Sequence, residues 1–161
     1  MKESSHKQRH YPAKQIRFSN GNGSTIIFVT ICTNNRKAIL DSPEVHELLK
    51  KSWRSAHLWS VGCYTILPDH IHLFCSPAQE HSPNLKHWVS YWKSLATKNW
   101  PLPTDKPIWQ RNCWDRQIRN NESWRTKWDY VRQNPVRHGL VKHASDWPYL
   151  GKLTSLIWHD S

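Results

Sequence analysis

The stretch Leu58-Trp59-Ser60-Val61-Gly62-Cys63-Tyr64-Thr65-Ile66-Leu67-Pro68-Asp69-His70-Ile71-His72-Leu73-Phe74-Cys75 decides the fold. Residues 58–67 are rich in β-branched and aromatic types and read as one strand. Pro68-Asp69 is turn chemistry, and residues 70–75 read as the returning strand of a hairpin. Side chains on a strand alternate between faces, so Ile71, Leu73 and Cys75 share one face while His70 and His72 share the other. The hairpin thus carries two imidazoles side by side, turned away from its apolar face.

Upstream, Thr25–Cys32 is another β-branched and aromatic run, long and apolar enough for a central strand buried on both faces. Ser42-Pro43 then supplies an N-cap serine and a first-turn proline, and Val45, Leu48, Leu49, Trp53 and Ala56 follow at helical spacing. Downstream of the hairpin, Ser82-Pro83 repeats that capping signal before the apolar stripe Leu85, Trp88, Val89, Trp92, Leu95 and Ala96. Pro101–Pro107 holds three prolines and reads as a loop, residues 108–119 as a fourth strand. In a third helix Asn121 serves as cap, Trp124, Trp128 and Val131 form the buried side, and Pro135 closes it.

The order β-α-β-β-α-β followed by a helix is the split βαβ pattern. We read an α+β, ferredoxin-like sheet with both crossover helices on one face and an extra C-terminal helix carrying Tyr130. His70 and His72 are then expected on the face the crossover helices leave open. Residues 1–20 form a basic arm containing Lys14 and Arg17, residues 21–150 the folded domain, and residues 151–161 a tail.

The chain's 161 residues suit one domain, and 23 Lys and Arg against 12 Asp and Glu leave a formal charge of +11, which points to a polyanionic partner. Eleven tryptophans exclude a low-complexity basic tail, so the charge is expected on a folded body. No window offers the roughly 18 apolar residues of a membrane span, and the first residues lack the apolar core of a signal peptide. We read the chain as cytosolic, associated with the nucleoid and not with a membrane. Cys32, Cys63, Cys75 and Cys113 lie far apart without a C-x-x-C pair; reduced, mostly buried thiols are expected, and a zinc site is not.

Paired imidazoles on one strand face can hold a divalent metal. They can equally pack and hydrogen-bond as structural residues, and H-x-H is a short motif in a chain with 11 histidines. On the third helix Lys127, Tyr130 and Asn134 share a stripe opposite Trp124, Trp128 and Val131. A tyrosine attacks phosphorus only if its proton, with a pKa near ~10, is drawn off or a metal polarises the electrophile; otherwise it is an interfacial packing residue. Asn134 precedes a proline, so it is either a C-cap or a polar partner of Tyr130.

Four segments together resemble the REP-associated tyrosine transposases, a branch of the single-tyrosine HUH transposases of bacterial insertion sequences. They are Leu67-Pro68-Asp69-His70-Ile71-His72; Ile108-Trp109-Gln110 through Trp114-Asp115 to Ile118-Arg119; residues 130–141, starting Tyr130-Val131-Arg132-Gln133-Asn134-Pro135; and Ser145-Asp146-Trp147-Pro148-Tyr149. The resemblance implies a ferredoxin-like domain that cuts and rejoins single-stranded DNA at palindromic repeats folded as hairpins, using magnesium or manganese. By that resemblance His70 and His72 are metal ligands, Asn134 completes the metal site, and Tyr130 is the nucleophile that forms a 5′-phosphotyrosine. Two positions depart from the family pattern. Asp115 is followed by Arg116 instead of histidine, and Asp69 stands where many relatives carry Asn or Glu.

Arg111, Arg116, Arg119, Lys127, Arg132 and Arg137 surround the expected site in sequence, and with Lys14 and Arg17 they are candidates for DNA-phosphate contacts. Trp100, Trp109, Trp114 and Trp158 fall in expected loops or strand ends, where they either stack on unpaired bases or complete the core. Two alternatives accompany the transposase reading: a module that binds hairpin DNA without cutting it, and a metal phosphoesterase that uses water. Relatives in the wider family form dimers that share active sites, whereas the REP-associated branch also suits a monomer.

Overall fold

The computed structural model describes residues 25–118 and 121–156. Lys14, Arg17, Arg119 and Trp158 lie outside the described residues.

Five strands form one antiparallel sheet in the order β4-β1-β3-β2-β5, with β1 Ile26–Thr33, β2 Trp59–Ile66, β3 His70–Pro77, β4 Trp109–Ile118 and β5 Leu150–Lys152. Helices α1 (Pro43–Ser55) and α2 (Leu85–Lys98) are the crossovers, and α3 (Asn121–Arg132) and the single turn α4 (Asn134–Arg137) follow β4. The first four strands and two crossover helices reproduce the order expected from sequence. Asn121 is the first residue of α3 rather than the residue before it.

Ser42 caps α1, its side chain accepting from the Val45 amide, with Pro43 in the first turn. The matching expectation at Ser82 is corrected: Asn84 caps α2, its Oδ1 accepting from the His87 amide. The Ser82 hydroxyl instead donates to Leu58 and Gln79 carbonyls and fixes the loop.

The α1 and α2 face holds the main core, in which Ile27, Val29, Ile31, Ile71, Leu73 and Cys75 meet Leu49, Trp53, Trp88 and Trp92. Trp92 is fully buried, with its ring in edge-on contact with Trp53, Trp88 and Trp109. Trp100 and Trp109 belong to this core as well: Trp100 is buried and donates to Asp105, while Trp109 donates to Thr97. Truncating Trp92 to alanine removes the common contact of three rings, so Trp92→Ala is expected to destabilise the domain by about 3–5 kcal/mol, read from urea unfolding.

A second cluster lies on the opposite face, where Trp124, Trp128 and Val131 of α3 pack on Ile26, Phe28, Phe74 and Ile118. The face expected to be open is therefore covered by α3 over its Phe28 and Phe74 end. The Thr30, His72 and His70 end lies beyond that cluster. The domain boundary expected at residue 150 falls inside β5, whose Leu150 and Lys152 pair with Thr65 and Cys63. Leu153 packs against the main core, so residues 151–153 belong to the domain and not to a tail. All four cysteines are free thiols, three of them buried.

Candidate functional site

His70 and His72 stand on β3 opposite Cys32 and Thr30 of β1, their ring centroids 4.8 Å apart and nearly perpendicular. Each ring is held through Nδ1. The Asp69 carboxylate lies 2.7 Å from His70 Nδ1, and the Thr30 hydroxyl 2.9 Å from His72 Nδ1. Phe28 stacks on the His72 ring at 5.3 Å. Arg36 locks Asp69 from behind with a 2.9 Å ion pair, and the turn itself is pinned where the Thr33 and Leu40 amides donate to the Asp69 and Pro68 carbonyls. Among the described residues no hydrogen bond is made at Nε2 of either ring.

Burial is the main cause that keeps both imidazoles neutral. It lowers the His70 pKa despite the Asp69 carboxylate, and it pushes His72 down to about 3, helped by electrostatic repulsion from the neighbouring His70, Lys127, His138 and Arg36. Burial raises the Asp69 pKa, but hydrogen bonds from His70 and Arg36 outweigh it and leave the carboxyl below its usual value. An unfolded chain protonates His72 near pH 6.5 whereas the folded protein does not until about pH 3. Stability is therefore present above the unfolded pKa and is lost as pH falls through that window, by up to about 1.4 kcal/mol per pH unit for this group. The metal-free protein should show a melting temperature that drops between pH 7 and 4.5, with a shallower drop for His72→Gln; an unchanged slope in that variant contradicts this account.

The neutral rings, oriented through Nδ1 with Nε2 unspent, fit what a divalent ion needs from two histidines and their supporting partners. Among the described residues no group of three or more His, Cys, Asp or Glu is placed to hold a metal. Asn134 is buried, and its Oδ1 accepts from Arg137 Nη2.

The α3 to α4 junction follows from Pro135, which has no N–H to give to the Val131 carbonyl and so ends the α3 ladder. Asn134 consequently begins α4 and does not extend the Lys127 and Tyr130 stripe along one helix. The same Arg137 guanidinium lies over the Tyr130 ring, 3.7 Å from its centroid, and donates to the Tyr130 carbonyl left at the helix end. After α4 the chain turns through Gly139 at φ 71°, with the Leu140 amide donating to Pro135 and the Gly139 amide to Val136, a C-terminal cap that favours glycine.

This turn places His138, a residue without an assigned role in the sequence reading, 6.1 Å from the His70 ring. A cleft of about 250 Å³ opens there between Arg36, Pro68, Asp69, His70 and His138. The structure thus brings His70, His72, Asp69, Arg36 and His138 together. A second group, Tyr130, Asn134 and Arg137, is linked to the first through His138 and through Lys127, whose Nζ is 4.7 Å above the Phe28 ring that stacks on His72. Tyr130 is 59% exposed.

Arg116 lies on the β4 register opposite Phe28, close enough to Lys127 for its charge to add to the burial that lowers the lysine's pKa. Arg132 is exposed and pairs with Asp129 at 3.4 Å, and Arg111 is exposed on β4. Among the described residues neither has a contact that joins it to the histidines.

No family model matches the chain. In sequence it is similar to the REP-associated tyrosine transposase of Escherichia coli K12, at 28% identity over 130 residues that cover 79% of this chain and 75% of the relative. A Haemophilus influenzae Rd protein provisionally named for the same family is 35% identical over 95 residues, which are 52% of this chain and 53% of that one. In fold it is similar to a REP-associated tyrosine transposase solved bound to a REP hairpin, with a TM-score of 0.66, 27% identity, and coverage of 86% of this chain and 82% of the other. A Deinococcus radiodurans R1 structure at 15% identity and a TM-score of 0.52 shares the fold, covering 71% of this chain and 94% of that one.

Proposed function

We propose that this chain, a relative of the REP-associated tyrosine transposases in sequence and in fold, is an enzyme that binds single-stranded DNA folded as a palindromic hairpin, cuts it, and rejoins it through Tyr130. One observation supports the reading: α3, the helix that carries the exposed Tyr130, packs through Trp124, Trp128 and Val131 on the sheet face that also bears the two neutral histidines, and the turn after it sets His138 6.1 Å from the His70 ring.

Tyr130 Oη attacks the phosphorus, the bond from phosphorus to the 3′ oxygen breaks, and the 5′ phosphate stays on the tyrosine. The phenol loses its proton and the departing 3′ oxygen gains one. Attack by a second 3′-hydroxyl reverses both transfers, restores the phosphodiester and frees the tyrosine, conserving the bond energy. His70 and His72, with Asn134, are the residues that would hold magnesium or manganese. When bound, such an ion withdraws charge from the scissile phosphate. Asp69 and Thr30 fix the imidazoles in orientation, Arg137 fixes the tyrosine ring, and Lys127 and Arg116 neutralise neighbouring phosphates.

The test is a hairpin oligonucleotide of the host's repeat with a single-stranded flank, incubated with protein and magnesium or manganese. The expected product is a protein–DNA adduct that survives denaturation, with the mass of the protein plus the fragment 3′ of the cut. Tight hairpin binding without cleavage under either metal supports a binding module instead, and cleavage without an adduct supports a water-using phosphoesterase.

A further inference from the structure

On the β4 edge of the sheet, the register pairs Thr30 with Trp114 on one side and with His72 on the other. Directly paired residues share a face, so Trp114, Thr30 and His72 form a row across three adjacent strands. Trp114 stands two strand spacings, roughly 10 Å, from the His72 position. It is 46% exposed, whereas Trp53, Trp59, Trp88, Trp92, Trp100 and Trp147 are buried. Among the described residues no ring packs on it, although aromatic pairs link most of the other tryptophans. Two residues along the same face comes Arg116, with Lys127 above the neighbouring Phe28.

We propose that Trp114 is a stacking platform for one unpaired base of the strand that passes over His70 and His72, a contact that rests on the hairpin-DNA reading above. An exposed indole beside two cations, in the same cross-strand row as His72, matches what single-stranded nucleic acid offers: flat bases on an anionic backbone. Every base has a face that can stack, so the contact positions the strand without specifying its sequence. A second copy of this chain is the weaker occupant. It carries the same +11 charge, and its own Arg111 and Arg116 would be brought against these cations.

The experiment uses the full-length protein without metal, so that no strand is cut, and labelled hairpins with and without a single-stranded flank, read by fluorescence anisotropy. Trp114→Ala is expected to weaken binding of the flanked hairpin roughly 5- to 100-fold, while Trp114→Tyr stays within a few-fold of wild type. On the blunt hairpin Trp114→Ala and wild type should bind alike. Scanning an abasic site along the flank should find one position where wild type loses affinity and Trp114→Ala loses nothing further. Equal affinities of wild type and Trp114→Ala on the flanked hairpin overturn the proposal, as does an equal loss on both hairpins. A Trp114→Ala protein with a different sedimentation mass from wild type also overturns it, in favour of contact between copies. Adduct formation is scored separately: Trp114 dependence without an adduct leaves the platform standing and removes the cleavage reading, while an adduct without Trp114 dependence does the reverse.

Discussion

Tyr130→Phe is expected to abolish the denaturation-resistant adduct and to lower strand cleavage on the order of 10³- to 10⁶-fold, while hairpin binding changes little. The variant removes one oxygen and leaves the ring. Arg137 packs on that ring and donates to the Tyr130 carbonyl and to Asn134, and none of these contacts uses the phenol oxygen. Tyr130 is exposed, and the apolar contacts of α3 are made by Trp124, Trp128 and Val131, so folding is preserved. Loss of the adduct therefore isolates the nucleophile. A Tyr130→Phe protein that still forms the adduct assigns the bond to another residue, and one that still cleaves without an adduct assigns the attack to water.

The second large effect is expected from replacing the histidine pair. His70→Gln together with His72→Gln should lower cleavage at least about 10³-fold, the size of several kcal/mol of lost stabilisation at the phosphate. Hairpin affinity in the absence of metal should remain within a few-fold, because the cations around the pair, Arg36, Lys127 and Arg116, stay in place. Manganese binding, followed by electron paramagnetic resonance of the free ion, should be lost in the same variant. Glutamine keeps a hydrogen-bonding group for Asp69 and Thr30, so a fold defect is separable by its melting curve. Cleavage and manganese binding both at wild-type level would show that the pair packs and nothing more.

Much of this arrangement is written in local patterns. Alternation along 70–75 placed the two histidines on the face away from Ile71, Leu73 and Cys75, and the Ser42-Pro43 start of α1 and the α3 stripe were legible from spacing alone. The misses depend on how the chain folds back on itself, over short and long separations alike. Ser82 looks like a cap, but its hydroxyl is taken by Leu58, 24 residues away, which leaves the role to Asn84. Trp100 and Trp109 flank a proline-rich loop and look available, yet the Trp100 indole donates to Asp105 of that loop and the Trp109 indole to Thr97 of α2. β5 is three residues with a glycine at its centre, too short for a periodic signal, and it exists because β2 offers an unpaired edge. His138 lies within a segment that carried the family resemblance, but its place beside His70 depends on the Pro135 break and the Gly139 turn acting together. Asn134 was read as either a cap or a partner of Tyr130; the fold makes it the buried first residue of its own turn, bound to Arg137.

The sheet's two outer strands have a mechanical consequence. β4 and β5 lie at opposite edges, and the chain between them, α3 and α4, runs from one edge to the other with Tyr130 partway along. In the proposed cycle, a severed DNA end would hang from that tyrosine between cutting and rejoining and pull on it as the rest of the molecule moves. A load applied there is divided between two anchors on either side of the sheet, so neither strand has to bear it alone. On the proposed strand-transfer chemistry the domain is a beam with the hook slung between its ends, an arrangement suited to keeping hold of a broken strand until it is resealed.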